Sequence, residues 1–214
     1  MILKVRGALF DMDGTLVDST AAVEVVWGEF ATTHGVSPQA VIDFAHGRPS
    51  RDTIARFLPA GESVEEWNTW IADAEGGRFD DVAPIAGAVD AVRLLRPEQW
   101  AVVTSALREP ALARLASVGF PRPRVLVGAD DVTRGKPDPE GFARSARNLG
   151  LTPNRCVVFE DAPAGVQAGL AAGCQVVVVG ALEHSVAEGL PRVADFRQVS
   201  FEQAGDGELV VRLT

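Results

Sequence analysis

Basic residues are in the minority and nowhere form a run: 20 Lys and Arg stand against 29 Asp and Glu, a formal charge of -9. Without a basic tract there is nothing to neutralise a series of phosphates along DNA or RNA, so nucleic acid is not expected as a partner. Cysteine is equally scarce. Cys156 and Cys174 form no Cys-x-x-Cys pair and stand at the start of the apolar runs Cys156-Val-Val-Phe159 and Cys174-Gln-Val-Val-Val-Val179. That is the pattern of thiols filling a core in a reducing compartment rather than of a disulfide or a metal site. No apolar run approaches the length that spans a bilayer. The opening Met1-Ile-Leu-Lys-Val-Arg-Gly-Ala-Leu-Phe-Asp11 carries charges inside its apolar stretch, where a signal peptide has a continuous apolar segment. The expectation is a soluble, cytoplasmic protein with no membrane attachment. Internal repeats and low-complexity segments are also missing.

What is present is a chain of 214 residues, 47% hydrophobic, able to bury a good core and of a length suited to one globular domain carrying an insertion. Apolar runs rich in Val, Leu and Phe recur at 5–10, 100–104, 125–127, 156–159 and 175–179, each short enough for a buried strand. Between them lie segments with helical spacing at 87–96, 108–118, 139–149 and 162–172. Such alternation predicts an α/β protein with a parallel sheet covered by helices on both faces, whose ligands gather at the carboxyl ends of the strands. Residues 16–80 break the pattern: 16–34, 51–58 and 64–79 read as amphipathic helices with Trp27, Phe30, Phe57, Trp67 and Trp70 as their large apolar residues, and no convincing strand. We expect a core of residues 1–15 and 82–214 and a helical insertion at 16–81, returning through a hinge at Gly76-Gly77 and Asp80-Asp81-Val-Ala-Pro84. Gly205-Asp-Gly207 between two apolar runs predicts a closing hairpin.

Each strand end carries pointed chemistry. After the first comes Asp11-Met12-Asp13-Gly14-Thr15. Two carboxylates one residue apart can divide the work of nucleophile or metal ligand and of acid/base; the same letters also serve an ordinary turn. After Ala101-Val-Val103 come Thr104 and Ser105, either a helix N-cap or an anion site of a hydroxyl and adjacent N–H groups. Lys136 precedes Pro137-Asp-Pro139, and is either a solvated lysine or a fixed charge gripping a phosphoryl oxygen. Glu160 and Asp161 end the run Val157-Val-Phe159, where two buried carboxylates repel each other unless a cation, with oxygen ligands such as Mg²⁺ prefers, lies between them. All four features fall in order on successive strand ends, which favours shared chemistry over a series of ordinary turns and caps.

Together these segments resemble the haloacid dehalogenase superfamily over essentially the whole chain. Phe10-Asp11-Met12-Asp13-Gly14-Thr15-Leu16-Val17-Asp18-Ser19 is similar to its first motif, Val103-Thr104-Ser105 to its second, Lys136-Pro137 to its third, and Phe159-Glu160-Asp161-Ala162-Pro163-Ala164-Gly165 to its fourth. The resemblance implies a Rossmann-like core with an all-helical cap inserted between the first two motifs. It implies Asp11 as phosphoryl acceptor and Asp13 as general acid/base, with Thr104 and Lys136 assisting. It also implies Mg²⁺ on the Asp11 carboxylate, the Asp13 carbonyl and Asp161, with Glu160 supporting through water or from the outer shell, and phosphate contacts from the backbone near Met12 and Ser105.

Within the superfamily an acid at position 13 sets the chain apart from the dehalogenases. The stretch Thr20-Ala-Ala-Val-Glu-Val-Val-Trp27 lacks the cap-helix histidine of the sugar phosphomutases, so a phosphatase is expected over a β-phosphoglucomutase-like enzyme. Residues 45–57, with His46, Arg48 and Arg51, resemble the cap loop of the sugar and polyol phosphatases, the branch of glycerol-phosphatases, 2-deoxyglucose-6-phosphatases and bacterial hexose/hexitol phosphatases. These three side chains either contact the sugar portion of a substrate or are solvated loop charges. A phosphoglycolate phosphatase and a catalytically idle phospho-ligand binder are the alternatives; retention of Asp11, Asp13, Lys136 and Asp161 together argues against the binder. The expected partner is a small phosphorylated substrate, with a monomer compatible with the sequence.

Overall fold

The computed structural model describes residues 1–45, 47–76 and 82–214. The chain opens with β1 (Ile2–Val5) and β2 (Gly7–Phe10), then β3 (Val17–Asp18). Four helices follow: α1 (Thr20–Thr33), α2 (Pro38–Ala45), α3 (Ser50–Phe57) and α4 (Val64–Gly76). After β4 (Ala83–Pro84) come α5 (Ala88–Arg93), β5 (Trp100–Val103), α6 (Arg108–Ser117), β6 (Leu126–Val127) and α7 (Glu140–Asn148). The remainder is β7 (Cys156–Glu160), α8 (Pro163–Ala171), β8 (Gln175–Val179), β9 (Arg192–Val193), β10 (Val199–Gln203) and β11 (Leu209–Leu213).

Six strands form one parallel sheet in the order β6-β5-β2-β7-β8-β9. Its central strands are buried at every position because both faces are covered, which is why they read as unbroken apolar runs. Their side chains still alternate between two cores. Ala8, Phe10, Val102, Val157 and Phe159 pack on the side of α5, α6 and the C-terminal strands. Leu9, Ala101, Val103, Cys156 and Val158 pack against Phe142 and Ala146 of α7 and Val166 and Ala168 of α8. Burying each such Val, Leu or Phe contributes about 1.5–3 kcal/mol. Phe10 and Phe159 stack at 5.2 Å on the first side. β2 has β5 on one flank and β7 on the other, so the chain leaves it in opposite directions and opens a crevice at its carboxyl end.

Three expectations need correction. The run at 5–10 is two strands: the Arg6 N–H donates to the Arg155 carbonyl at 2.7 Å, and β1 departs to a three-stranded antiparallel sheet, β1-β11-β10. The reason is legible in the letters. Ile2-Leu-Lys-Val5 alternates exposed and buried, suiting a sheet covered on one face, whereas Gly7-Ala-Leu-Phe10 is apolar throughout. Within 16–80, where no strand was expected, Val17 and Asp18 pair antiparallel with Pro84 and Ala83, a ladder too short to leave a periodic signal. α1 accordingly starts at Thr20 rather than at 16, and α2 is a helix the periodicity did not single out. His46, the proposed hinge at Gly77 and Asp80-Asp81, the end of the 64–79 helix and the 81/82 boundary lie outside the described residues. The closing hairpin is present as β10 and β11, with Asp206 at φ 57° in its turn.

The four helices after β3 enclose a core of their own, with Val26, Trp27, Phe30, Val41, Ile54 and Ile71 buried and Trp67 and Trp70 packed against them. Trp27 and Trp67 meet Phe30 edge-on at 5.6 and 5.5 Å, a favoured aromatic arrangement. No helix among the described residues is long and apolar enough to cross a membrane.

Candidate active site

The crevice at the end of β2 is built by a tight loop. The Asp11 N–H donates to the Phe159 carbonyl at 3.0 Å, tying it to β7, and the N–H groups of Thr15, Leu16 and Val17 all donate to the Met12 carbonyl, at 3.3, 2.9 and 2.9 Å. The Met12 side chain is fully buried, so the loop is anchored beneath Asp11 and Asp13.

Lys136 is no solvated lysine. It is 5 % exposed, and its Nζ donates to Asp11 and, at 2.8 Å, to Glu160 Oε1. Burial by itself lowers the Lys136 pKa, but the two carboxylates outweigh it and hold the ammonium above the ordinary lysine value. Asp11 shifts upward: burial raises its pKa most, Lys136 opposes, and Glu160 and Asp161 add to the rise. Glu160, 0 % exposed, also accepts the Ala162 N–H at 2.7 Å on Oε2. A Cβ on Gly165 would stand 1.5 Å from Glu160 Oε1, so only glycine lets α8 start this close to that carboxylate. Thr15 donates its hydroxyl to Asp161 Oδ1 at 2.8 Å.

Asp11, Glu160 and Asp161 thus offer carboxylate oxygens all within 4.8 Å of one another. Lys136 donates to two of the three, Asp11 and Glu160, and an all-oxygen donor set of this kind suits a hard divalent cation such as Mg²⁺. The residues fit such an ion. Both Glu160 oxygens already accept hydrogen bonds.

Thr104 is buried beside this cluster. Its hydroxyl accepts the Ala106 N–H at 3.0 Å and α6 begins later, at Arg108, so Thr104-Ser105 forms a turn of its own rather than a helix cap. The Ser105 hydroxyl reaches across to the Gly47 carbonyl at 3.3 Å, where a Cβ on Gly47 would stand 2.4 Å from that of Ala162. The 47–50 segment therefore lies directly on the sheet's carboxyl end. A cavity of about 300 Å³ under it holds Asp11, Asp13, Ser19 and Arg48. Arg48 stacks its guanidinium over Phe44 at 4.7 Å. Arg51 is not in this chamber: it pairs with Glu65 at the edge of a second cavity of about 720 Å³ that Thr104, Ser105 and Lys136 also line.

Sequence reasoning missed Arg114, Ser19 and Glu75. Arg114 is 2 % exposed and donates to Asp13 Oδ1 at 2.5 Å and to Glu75 Oε2 at 3.3 Å. Ser19 donates to the same Asp13 oxygen at 2.6 Å. A signal existed for Arg114. In Ala111-Leu-Ala-Arg114-Leu115 the arginine shares the apolar stripe of α6 with Ala111 and Leu115, and a cation on an apolar stripe needs a buried anion.

Residues 5–173 match the family model of the haloacid dehalogenase-like hydrolases. The chain is 41% identical over 184 residues to hexitol phosphatase A of Escherichia coli, covering 84% of this chain and 85% of that protein. It is 37% identical over 186 residues to glycerol-1-phosphate phosphohydrolase 2 of Saccharomyces cerevisiae, covering 82% and 74%. The fold is similar to that of CbbY from Rhodobacter sphaeroides, solved in complex with phosphate, at TM-score 0.77 and 22% identity over 90% of this chain and 95% of that one.

Proposed function

The chain belongs to the haloacid dehalogenase-like hydrolases, and on that footing we propose that it is a magnesium-dependent phosphatase of small sugar or polyol phosphates. The observation that carries this reading is the buried Asp11–Lys136–Glu160 arrangement beside Asp161 and Asp13, supported by the names of the relatives, a hexitol phosphatase and a glycerol-1-phosphate phosphohydrolase. Asp11 attacks phosphorus in line and becomes an aspartyl-phosphate, splitting one hard displacement into two easier ones. Asp13 protonates the departing alcohol and then takes a proton from the water that hydrolyses the aspartyl-phosphate. Lys136, the Thr104 hydroxyl and the backbone near Met12 and Ser105 hold the phosphoryl oxygens. The Asp11 and Asp161 carboxylates and the Asp13 carbonyl, with Glu160 behind them, would hold Mg²⁺, which when bound would supply further neutralisation of charge on those oxygens.

In this reading residues 16–81 form a cap whose closure excludes water. Arg48, which shares a chamber with Asp11, and His46 recognise the hydroxyls of the leaving group, with Arg51 further out. The protein works in the cytoplasm. The test is inorganic phosphate release, with Mg²⁺ present, from a panel of hexitol, hexose and glycerol phosphates together with phosphoglycolate. Release from sugar or polyol phosphates is expected; preference for phosphoglycolate overturns the substrate class, and no release from any of them overturns the enzyme.

A further inference from the structure

Arg114 lies where two parts of the chain meet. It belongs to α6, one of its carboxylate partners, Asp13, to the loop after β2, and the other, Glu75, to α4 of the helical insertion. Glu75 is itself largely buried, at 13% side-chain exposure. A guanidinium taken out of water costs several kcal/mol unless it is paired, so these two contacts are what keep it inside. Ser19, which adds the second hydrogen bond to Asp13 Oδ1, stands directly before α1 of the same insertion. The arrangement around Asp13 is therefore completed by residues on both sides of the core–insertion boundary.

We propose that Arg114 is a positioning residue that links the orientation of the Asp13 carboxylate to the closed position of the cap through Glu75. This rests on the reading of Asp13 as the proton-transfer group. With α4 seated, Arg114 is held from both ends and its Nη1, together with the Ser19 hydroxyl, fixes Asp13 Oδ1. Because both donors use Oδ1, the proton exchanged with a leaving alcohol belongs on Oδ2. When the cap lifts, Glu75 withdraws, Arg114 keeps Asp13 alone and gains water, and a guanidinium held at one end only holds the Asp13 rotamer less firmly. Proton transfer is then confined to the closed state, where the substrate is covered.

The experiment compares Glu75→Gln, Arg114→Met, Arg114→Lys and the Glu75→Gln/Arg114→Met double variant in the full-length protein with Mg²⁺, on the best polyol phosphate and on p-nitrophenyl phosphate. For the polyol phosphate, Glu75→Gln is expected to lower kcat about tenfold and Arg114→Met about a hundredfold, with KM within about threefold, the share a misplaced general acid forfeits. The double variant should be no slower than Arg114→Met, because both act through one carboxylate, and Arg114→Lys should recover part of the loss. Nitrophenolate leaves without a proton, so Arg114→Met should show a stoichiometric burst followed by slow turnover as Asp11 is phosphorylated and then poorly hydrolysed. A merely structural role would shrink both phases together. Should Arg114→Met fail to fold, the split between kcat and KM in Glu75→Gln decides. An active unaltered protein whose Glu75→Gln variant keeps its kcat, or whose two substitutions add independently, overturns this inference alone; an unaltered protein that releases no phosphate overturns the phosphatase reading first.

Discussion

Lys136 shows how finely charge is balanced at single residues. Its ammonium is buried between Asp11 and Glu160, and breaking a buried ion pair by removing one partner typically costs about 3–5 kcal/mol. Lys136→Met should therefore lower stability by roughly that amount in urea unfolding, as well as remove turnover. Asp11→Asn tests a different property: it keeps shape and packing but cannot accept a phosphoryl group. Phosphoenzyme trapped by rapid acid quench should disappear in Asp11→Asn and persist in Asp13→Asn, where loss of a proton-transfer group slows chemistry about 10²–10⁴-fold. The two cysteines sit at the opposite extreme of reactivity. Burial pushes both thiols up to about 12, with the neighbouring Cys174 adding to the rise at Cys156. The reactive thiolate forms only as pH rises through that value. At pH 8 both remain protonated, and a disulfide reagent should modify neither until the protein is unfolded.

At the scale of elements, the fully buried strands declared themselves. Gly7-Ala-Leu-Phe10, Trp100-Ala-Val-Val103 and Cys156-Val-Val-Phe159 are continuous apolar runs bounded by polar residues, and each is followed by residues of the candidate site. Less legible were β3 and β4, two residues each, because pairing that short depends on the surrounding chain rather than on any local periodicity. Arg114 escaped for a related reason: its importance lies in Glu75 and Asp13, 39 and 101 residues away. The insertion's apolar residues marked it as helical, and its core is sensitive in the ordinary way: Ile54, fully buried in α3, should cost about 2–5 kcal/mol on truncation to alanine. Recognition is testable on the 47–50 segment. Arg48→Ala should lower kcat/KM on the best sugar or polyol phosphate roughly tenfold to a hundredfold, while p-nitrophenyl phosphate, lacking the hydroxyls, is nearly unaffected. Equal loss on both substrates would remove Arg48 from leaving-group recognition.

For the molecule as a whole, an ion held by the carboxylate cluster would link binding to stability. An ion bound by the native state alone adds about 2.7 kcal/mol at a hundred times its Kd, which for a chain of this length raises the melting temperature by roughly 5–10 °C. Mg²⁺ should produce such a shift, EDTA should reverse it, and Asp161→Asn should abolish it; a melting temperature indifferent to Mg²⁺ would mean that no ion binds, and a shift that survives Asp161→Asn would place the ion elsewhere. Sheet order carries a further consequence, for the chain as it is made. β1 finds its hydrogen-bond partner in β11, with Ile2 opposite Arg212 and Val5 opposite Leu209. Synthesis at about 5–20 residues per second separates the emergence of these two segments by roughly 10–40 s. Throughout that interval Leu3 and Val5 are without their ladder, and β2 awaits β7 for much of it. The nascent chain therefore carries β1 unpaired until β11 has emerged, while β2 gains β5 and then β7 earlier, and the yield of folded protein is expected to rise with chaperone supply during translation.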